Sequence, residues 1–255
     1  MSLRRPKALD LFCCAGGASA GLHSAGFDVV GVDIEPQPHY PFPFIQADAT
    51  KISFAGFDFI WASPPCQAYT LCQRIQDNEH PELIEPTRAM LKASRIPYCI
   101  ENVVGAPLIN PIELCGAMFG LRTYRHRIFE CSFAIAPPPH PEHVAPLRKM
   151  GRPVRDGEFI HVVGNFSGVQ LARDAMGIQW MPRDKLREAI PPAYAEYIGR
   201  AALAHMSDVA LAHASIAASQ EPLGEPFQRV LHDNLWDLYA RDENSSAPST
   251  NGAVK

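Results

Sequence analysis

A cysteine held behind two prolines is the first feature of this sequence that could do chemistry. Ser63-Pro64-Pro65-Cys66-Gln67 closes the apolar, aromatic run Phe57–Ala62. The prolines fix the backbone and present the next side chain where the run stops. A free thiol ionises near pH ~8.5, so a few per cent is thiolate at neutrality, and that fraction is strongly nucleophilic. Ile100-Glu101-Asn102-Val103 ends a second apolar stretch in an acid, suited to proton donation or to holding the edge of a neutral base. Arg122-Thr123-Tyr124-Arg125-His126-Arg127-Ile128-Phe129 alternates basic residues before a third stretch. Alternation along an extended chain sets Arg125 and Arg127 on one face, where they suit a phosphate or a base carbonyl. Each segment alone also has a plain structural reading: a buried thiol, a strand-end hydrogen-bonding acid, an exposed basic edge strand.

A fourth segment concerns binding. Asp10-Leu11-Phe12-Cys13-Cys14-Ala15-Gly16-Gly17 puts a small-residue turn after a short apolar run, with Ser19, Gly21 and Gly26 following. Such a turn between strand and helix lets backbone amides approach a ligand. Asp33, at the end of the next run, can accept hydrogen bonds from ribose hydroxyls.

These residues must be positioned by elements the same sequence supplies. Ala8–Cys13, Asp28–Asp33, Phe57–Ala62, Tyr98–Ile100 and Phe159–Val163 read as strands. Ser19–Gly26, Leu83–Ser94, Leu171–Met176, Pro191–Met206 and Phe227–Tyr239 read as helices, the fourth opened by Pro191-Pro192. Strands alternating with helices imply an α/β fold, a doubly wound and mostly parallel sheet with its ligand at the carboxyl ends of the strands. Ala134–Arg155 is different, with six prolines and basic residues at 148, 149, 152 and 155; it reads as a surface loop or very small lobe. From Arg241 the chain is rich in Ser, Asn, Pro and Gly and is expected to be disordered. The divisions predicted are a core over 1–132, a small lobe over 133–160, a return to the core over 161–206, a helical extension over 207–240 and a tail over 241–255.

Bulk properties bound the function. With 255 residues, 47% hydrophobic, the chain can bury one sizeable core. Its net charge of −4 gives no general attraction to nucleic acid, so any such contact needs a local basic patch. No signal peptide or membrane-length apolar run is seen, and seven cysteines without a C-x-x-C pair point to reduced thiols, a cytoplasmic location and no metal site.

Taken in order, the four segments resemble the DNA (cytosine-5)-methyltransferase family from about residue 8 to residue 200. The resemblance implies a Rossmann-like fold of the S-adenosylmethionine-dependent type, with S-adenosyl-L-methionine as cofactor and double-stranded DNA as partner. It implies Cys66 as the covalent nucleophile toward C6 of a flipped-out cytosine, Glu101 at its N3, and Arg127 with Arg125 at its O2 side. Cofactor contacts fall on Asp10, Phe12, Ala15, Gly16, Gly17, Asp33 and Pro65, with Asp48 meeting the adenine amino group. Pro64, Gln67, Tyr69, Thr70 and Asn102 are expected on the substrate side. The segment through Tyr69, Thr70, Cys72, Gln73 and Arg74 resembles the family's mobile catalytic loop. A monomer without membrane or metal is expected.

The sequence departs from the family at several points. Cys14 stands where Gly is usual, Thr123 where Gln is usual, and Arg187-Glu188-Ala189-Ile190-Pro191-Pro192 where a Gly-Asn is usual. An acid at Glu188 would repel the cofactor's carboxylate. Gly164 follows Arg127 by only 37 positions, so Pro137–Arg155 must serve as the recognition lobe. A short target site and a small phage-type or stand-alone enzyme are expected. Three alternatives stay open: methylation of cytosine in a structured RNA such as tRNA, an idle member that only binds nucleic acid, and a cofactor carrying a group other than methyl.

Overall fold

Short runs of branched and aromatic residues form the strands, and their period-two alternation decides what each face of the sheet touches. The computed structural model describes residues 4–69, 81–148 and 151–219. In chain order the elements are β1 (Lys7–Leu11), α1 (Gly17–Ala25), β2 (Asp28–Asp33), β3 (Phe44–Gln46), β4 (Phe59–Ala62), α2 (Ile84–Ser94), β5 (Tyr98–Asn102), β6 (Ile112–Leu114), β7 (Arg127–Cys131), β8 (Leu147–Arg148), β9 (Phe159–Ile160), α3 (Val169–Met176), α4 (Arg183–Leu186) and α5 (Pro192–Ser219). β3-β2-β1-β4-β5-β7-β6 form one sheet, parallel except where β7 pairs antiparallel with β5 and β6. The expected α/β sheet, mostly parallel, is therefore present. β8 and β9 pair separately as a two-stranded parallel sheet.

On one face Ala8, Phe59, Trp61, Cys99 and Phe129 pack with Leu22 of α1 and Tyr194, Ile198 and Ala202 of α5. On the other, Leu9, Leu11, Ile60, Ala62, Tyr98 and Ile100 pack with Leu91 of α2. The same alternation turns Asp10 and Glu101 toward the first face. A further cluster, Ile160, Val162, Phe166, Met176, Ile178 and Leu186, gathers α3 and α4 and touches Ala15 of the turn after β1.

Close packing dictates the glycines beside that turn. A Cβ on Gly17 would lie 2.6 Å from the Ile190 carbonyl oxygen, and one on Gly21 would lie 2.1 Å from that of Pro192. The backbone of α1 thus lies against the chain entering α5, which carries Glu188 and Ile190 to the mouth of β1. β7 is fastened by a buried charge cluster: the Arg88 guanidinium of α2 donates to both oxygens of Glu130 at 2.7–3.0 Å and to the Pro107 carbonyl at 2.7 Å. Glu130 also accepts from the Ile109 N–H at 2.8 Å.

The helix expected over Pro191–Met206 runs on to Ser219, and the strand expected over Phe159–Val163 is two residues long. Phe133, placed at the start of the small lobe, is buried in the core. Thr70, Cys72, Gln73, Arg74, the helix expected over 227–239 and the tail lie outside the described residues. The chain divides into two units, Met1–Ser207 and Asp208–Lys255; the first holds the sheet. No described helix is long and apolar enough to cross a membrane.

Candidate active site

The strand order reverses between β1 and β4, and a crevice opens at such a reversal beyond the carboxyl ends of the strands. The Phe12–Gly17 turn leaves β1 there, and Ser63–Gln67 leaves β4. Between them lies a cavity of about 510 Å³, within the roughly 300–1,000 Å³ usual for small-ligand sites.

The turn after β1 is held in an uncommon backbone conformation. Phe12 and Cys14 have φ of 59° and 46°, a region that costs a side-chain-bearing residue about 1–2 kcal/mol. Hydrogen bonds offset it: Cys14 N donates to the Asp33 carboxylate at 2.9 Å and Cys13 N to the Val32 carbonyl at 3.1 Å. Cys14 therefore fits the turn without needing to be glycine, because Asp33 anchors it. Asp10 is fully buried; one of its oxygens accepts from the Ser19 hydroxyl, which also bonds Tyr40. Its other oxygen has no hydrogen-bond partner among the described residues. Burial pushes the Asp10 carboxyl up to about 7.

The second wall carries Cys66. Ser63 N donates to the Leu11 carbonyl at 3.1 Å, and the Asn102 side-chain amide donates to the Pro64 carbonyl at 2.9 Å. The loop is thus tied to β1 and to the end of β5. Tyr69 N donates to the Cys66 carbonyl at 2.9 Å, closing one 3₁₀ turn over Gln67–Tyr69. Glu101 is only 7% exposed and faces the Arg127 guanidinium at 3.1 Å. The Trp61 indole N–H donates to the Ser63 hydroxyl at 2.9 Å, and Ser63 bonds Glu101 in turn.

Burial raises the Glu101 carboxyl above its ordinary range, and the Arg127 charge opposes that rise. Burial, then the Glu101 charge, raises the Cys66 thiol, with Arg127 again opposing. The two ionisations are antagonistic: neutralising Glu101 favours a thiolate at Cys66.

Of the residues singled out from sequence, Asp10, Phe12, Ala15, Gly17, Asp33, Pro64, Pro65, Cys66, Gln67, Glu101 and Arg127 line this one cavity. Gly16 sits within the turn with φ of 84°. Four others stand elsewhere. Asp48 accepts from the Thr50 hydroxyl at 2.7 Å, pairs with Lys51 at 2.9 Å and accepts from Thr50 N at 2.9 Å, which hold its carboxyl down to about 2; it does not line the cavity. Tyr69 packs with Ile84, Ala106 and Ile128 beside the loop. Asn102 is 1% exposed and acts on the Pro64 carbonyl.

Arg125 departs from the alternation expected of it. It lies before β7 with φ of 30°, so it does not share a strand face with Arg127. Its guanidinium donates to the Val162 and Arg187 carbonyls at 2.7 and 2.8 Å, and the Tyr194 hydroxyl donates to its carbonyl at 2.9 Å. It clamps three chain segments behind Arg127.

Sequence reasoning missed residues that line the cavity. Lys185 lies there with Glu188, their charges 4.0 Å apart. The acid at Glu188 is thus partly offset, and a cation also faces that end of the cavity. The i, i+3 spacing of Lys185 and Glu188 was the available signal. Glu35, Gln37, Met181 and Ile190 also line the cavity. In the small lobe, Arg148 pairs with Glu158 at 3.3 Å, while Arg152 and Arg155 are exposed.

The donor set fits S-adenosylmethionine. An acidic wall of Asp10, Asp33 and Glu35 suits a cationic sulfonium, an ammonium and ribose hydroxyls, and the buried unpartnered oxygen of Asp10 is an acceptor awaiting a donor.

Comparison with known proteins agrees with this geometry. Residues 7–105 match the model of the C-5 cytosine-specific DNA methylase family. The type II methyltransferase M.AgeI of Thalassovita gelatinovora is 25% identical, over 54% of this chain and 42% of its own length. The chain thus spans less than half of that relative. A prophage-encoded E. coli protein assigned as a DNA modification methyltransferase has a similar fold, with a TM-score of 0.56 at 15% identity, covering 80% of this chain and 99% of its own. The Entamoeba histolytica methyltransferase EhMeth superposes with a TM-score of 0.51 at 11% identity, with the same coverage. Over residues 7–105, the stretch that holds the turn, Cys66 and Glu101, the chain is similar to the C-5 cytosine-specific DNA methylases.

Proposed function

We propose that the chain methylates C5 of cytosine in double-stranded DNA through a covalent bond between Cys66 and C6 of a base turned out of the helix. The observation that carries this reading is the meeting of Cys66, Glu101 and Arg127 in one cavity, with the carboxyl held at 3.1 Å by the guanidinium. Cytosine C5 is a poor nucleophile. Addition of the Cys66 Sγ to C6 breaks the C5–C6 double bond and moves its electron pair toward C5. Glu101, its carboxyl raised by burial, takes a proton as the base binds, donates a hydrogen bond to N3 and limits the cost of charge entering the ring. While that proton stays on Glu101 it removes the charge that holds the thiol protonated, so base binding and thiolate formation assist each other. Arg127 supplies fixed positive charge on the O2 side.

Asp33 and the Phe12–Gly17 turn would hold S-adenosylmethionine, which would supply an electrophilic methyl group for C5 to take. Once C5 carries the methyl group, solvent water takes the C5 proton, and the electron pair released restores the C5–C6 double bond and expels Sγ. Turning the base out costs a few kcal/mol, which cavity and phosphate contacts must offset. Exposed Arg152 and Arg155 are candidates for the phosphate part, adding sequence-independent, salt-sensitive affinity.

Duplex DNA carrying 5-fluorocytosine tests the covalent step. Fluorine at C5 cannot leave as a proton does, so the Cys66–C6 bond should persist as a denaturant-stable adduct. With S-adenosylmethionine present, wild type should give the adduct and Cys66→Ser none. A folded protein that binds the cofactor yet forms no adduct, on duplexes of varied sequence, would overturn the covalent reading.

A further inference from the structure

We propose that Cys115, His126, His140 and His143 form a structural zinc site that fastens the proline-rich segment to the sheet. The four side chains come from three separate parts of the chain. Cys115 follows β6 and is fully buried, His126 directly precedes β7, and His140 and His143 belong to the proline-rich stretch. One ligand atom from each lies within 4.8 Å of every other.

Two edges of this tetrahedron already have the right length. His126 Nε2 and His140 Nε2 are 3.3 Å apart, and Cys115 Sγ and His143 Nε2 are 3.3 Å apart. A zinc ion at ~2.0–2.1 Å from nitrogen and ~2.3 Å from sulfur would set tetrahedral edges of about 3.3 Å between nitrogens and about 3.5 Å between sulfur and nitrogen.

Outer contacts orient the ligands. His140 Nδ1 lies 2.8 Å from the Pro141 carbonyl, so Nδ1 carries the proton and the lone pair of Nε2 faces the cluster. The His143 ring stacks on Tyr124 at 3.7 Å, and the Tyr124 hydroxyl donates to the Ala145 carbonyl at 2.7 Å. Glu113 lies 3.7 Å from His126 Nε2 and supplies nearby negative charge.

A thiolate with three imidazoles is a borderline-soft donor set suited to zinc. Four protein ligands leave no open position, so the role is structural rather than catalytic. Binding replaces the S–H bond of Cys115 by S–Zn and releases one proton to solvent. The ion would hold the segment around residues 140–143 against the ends of β6 and β7, one residue from Arg127. Nothing in this inference depends on the methyl-transfer reading.

The test uses the full chain without a histidine tag, stripped with chelator and titrated with Zn2+ and separately with Co2+. Wild type should take up one zinc per chain. Its Co2+ form should show the intense visible bands of a tetrahedral site and a thiolate charge-transfer band. His140→Ala and His143→Ala, both at exposed positions, should weaken Zn2+ binding by more than the roughly 10- to 100-fold that loss of an outer-shell partner costs. Cys115→Ser should remove the charge-transfer band. Substoichiometric zinc, weak octahedral Co2+ bands, or equal affinity in wild type and His143→Ala would each overturn the site.

Discussion

Replacing Arg127 by Met removes a guanidinium 3.1 Å from Glu101 while keeping most of its apolar bulk. Glu101, 7% exposed, cannot recover that interaction from water. Stranding a buried charge costs about 3–5 kcal/mol, but the carboxyl can escape by taking a proton. Protonation sets the ceiling. From the ordinary value of 4.5, holding a proton at pH 7.5 costs three pH units at ~1.36 kcal/mol each, about 4 kcal/mol; at pH 5.5 it costs about 1.4 kcal/mol. The folded pKa is already raised in the wild type and rises further in the variant, so the folded variant binds the extra proton and its deficit grows with pH. Urea unfolding should therefore show a loss of up to about 4 kcal/mol at pH 7.5 that shrinks to about 1 kcal/mol at pH 5.5. Arg127→Met/Glu101→Gln should regain most of the stability and none of the activity. A loss of equal size at both pH values, or a double variant as unstable as Arg127→Met, would refute the ion-pair account.

Two other perturbations probe the scaffold. Asp10 is raised from 3.8 to about 7, so its stabilising contribution is present below pH ~4 and is lost as pH rises through about 7, roughly 4 kcal/mol in all; Asp10→Asn should flatten that part of the pH–stability curve, read by urea unfolding at pH 5 and 8, and an unchanged slope would contradict the assignment. Arg88→Met strands Glu130 in the core and should lower stability by about 3–5 kcal/mol, with Arg88→Met/Glu130→Met recovering most of it; a loss under 1 kcal/mol would show that the cluster is dispensable.

Local pattern made much of this molecule legible, and long-range pairing explains most of what was not. β2 coincides with its expected span, Asp28–Asp33, because a branched apolar run between turn residues has one reading. The strand-end positions of Cys66 and Glu101 followed from Ser63-Pro64-Pro65 and from Asn102-Val103, and both line the crevice. The antiparallel insertion of β7 between β5 and β6 left no local mark; it brings together segments far apart in the chain, as Arg88 and Glu130 are, 42 residues apart. Arg125 misled because alternation holds only while φ stays extended, and φ turns to 30° there. Asp48 looked available, but Thr50 and Lys51, two and three residues on, occupy it. A count of cysteine pairs could not find a cluster whose other three members are histidines.

Methyl transfer itself tests the central claim most directly. The full chain is incubated with labelled S-adenosylmethionine and either unmethylated duplex DNA or transfer RNA, beside Cys66→Ala, and the product bases are identified by mass spectrometry. The account predicts 5-methylcytosine in the DNA and none with Cys66→Ala. Label confined to RNA would contradict the assigned substrate, and 5-methylcytosine formed equally well by Cys66→Ala would contradict the mechanism.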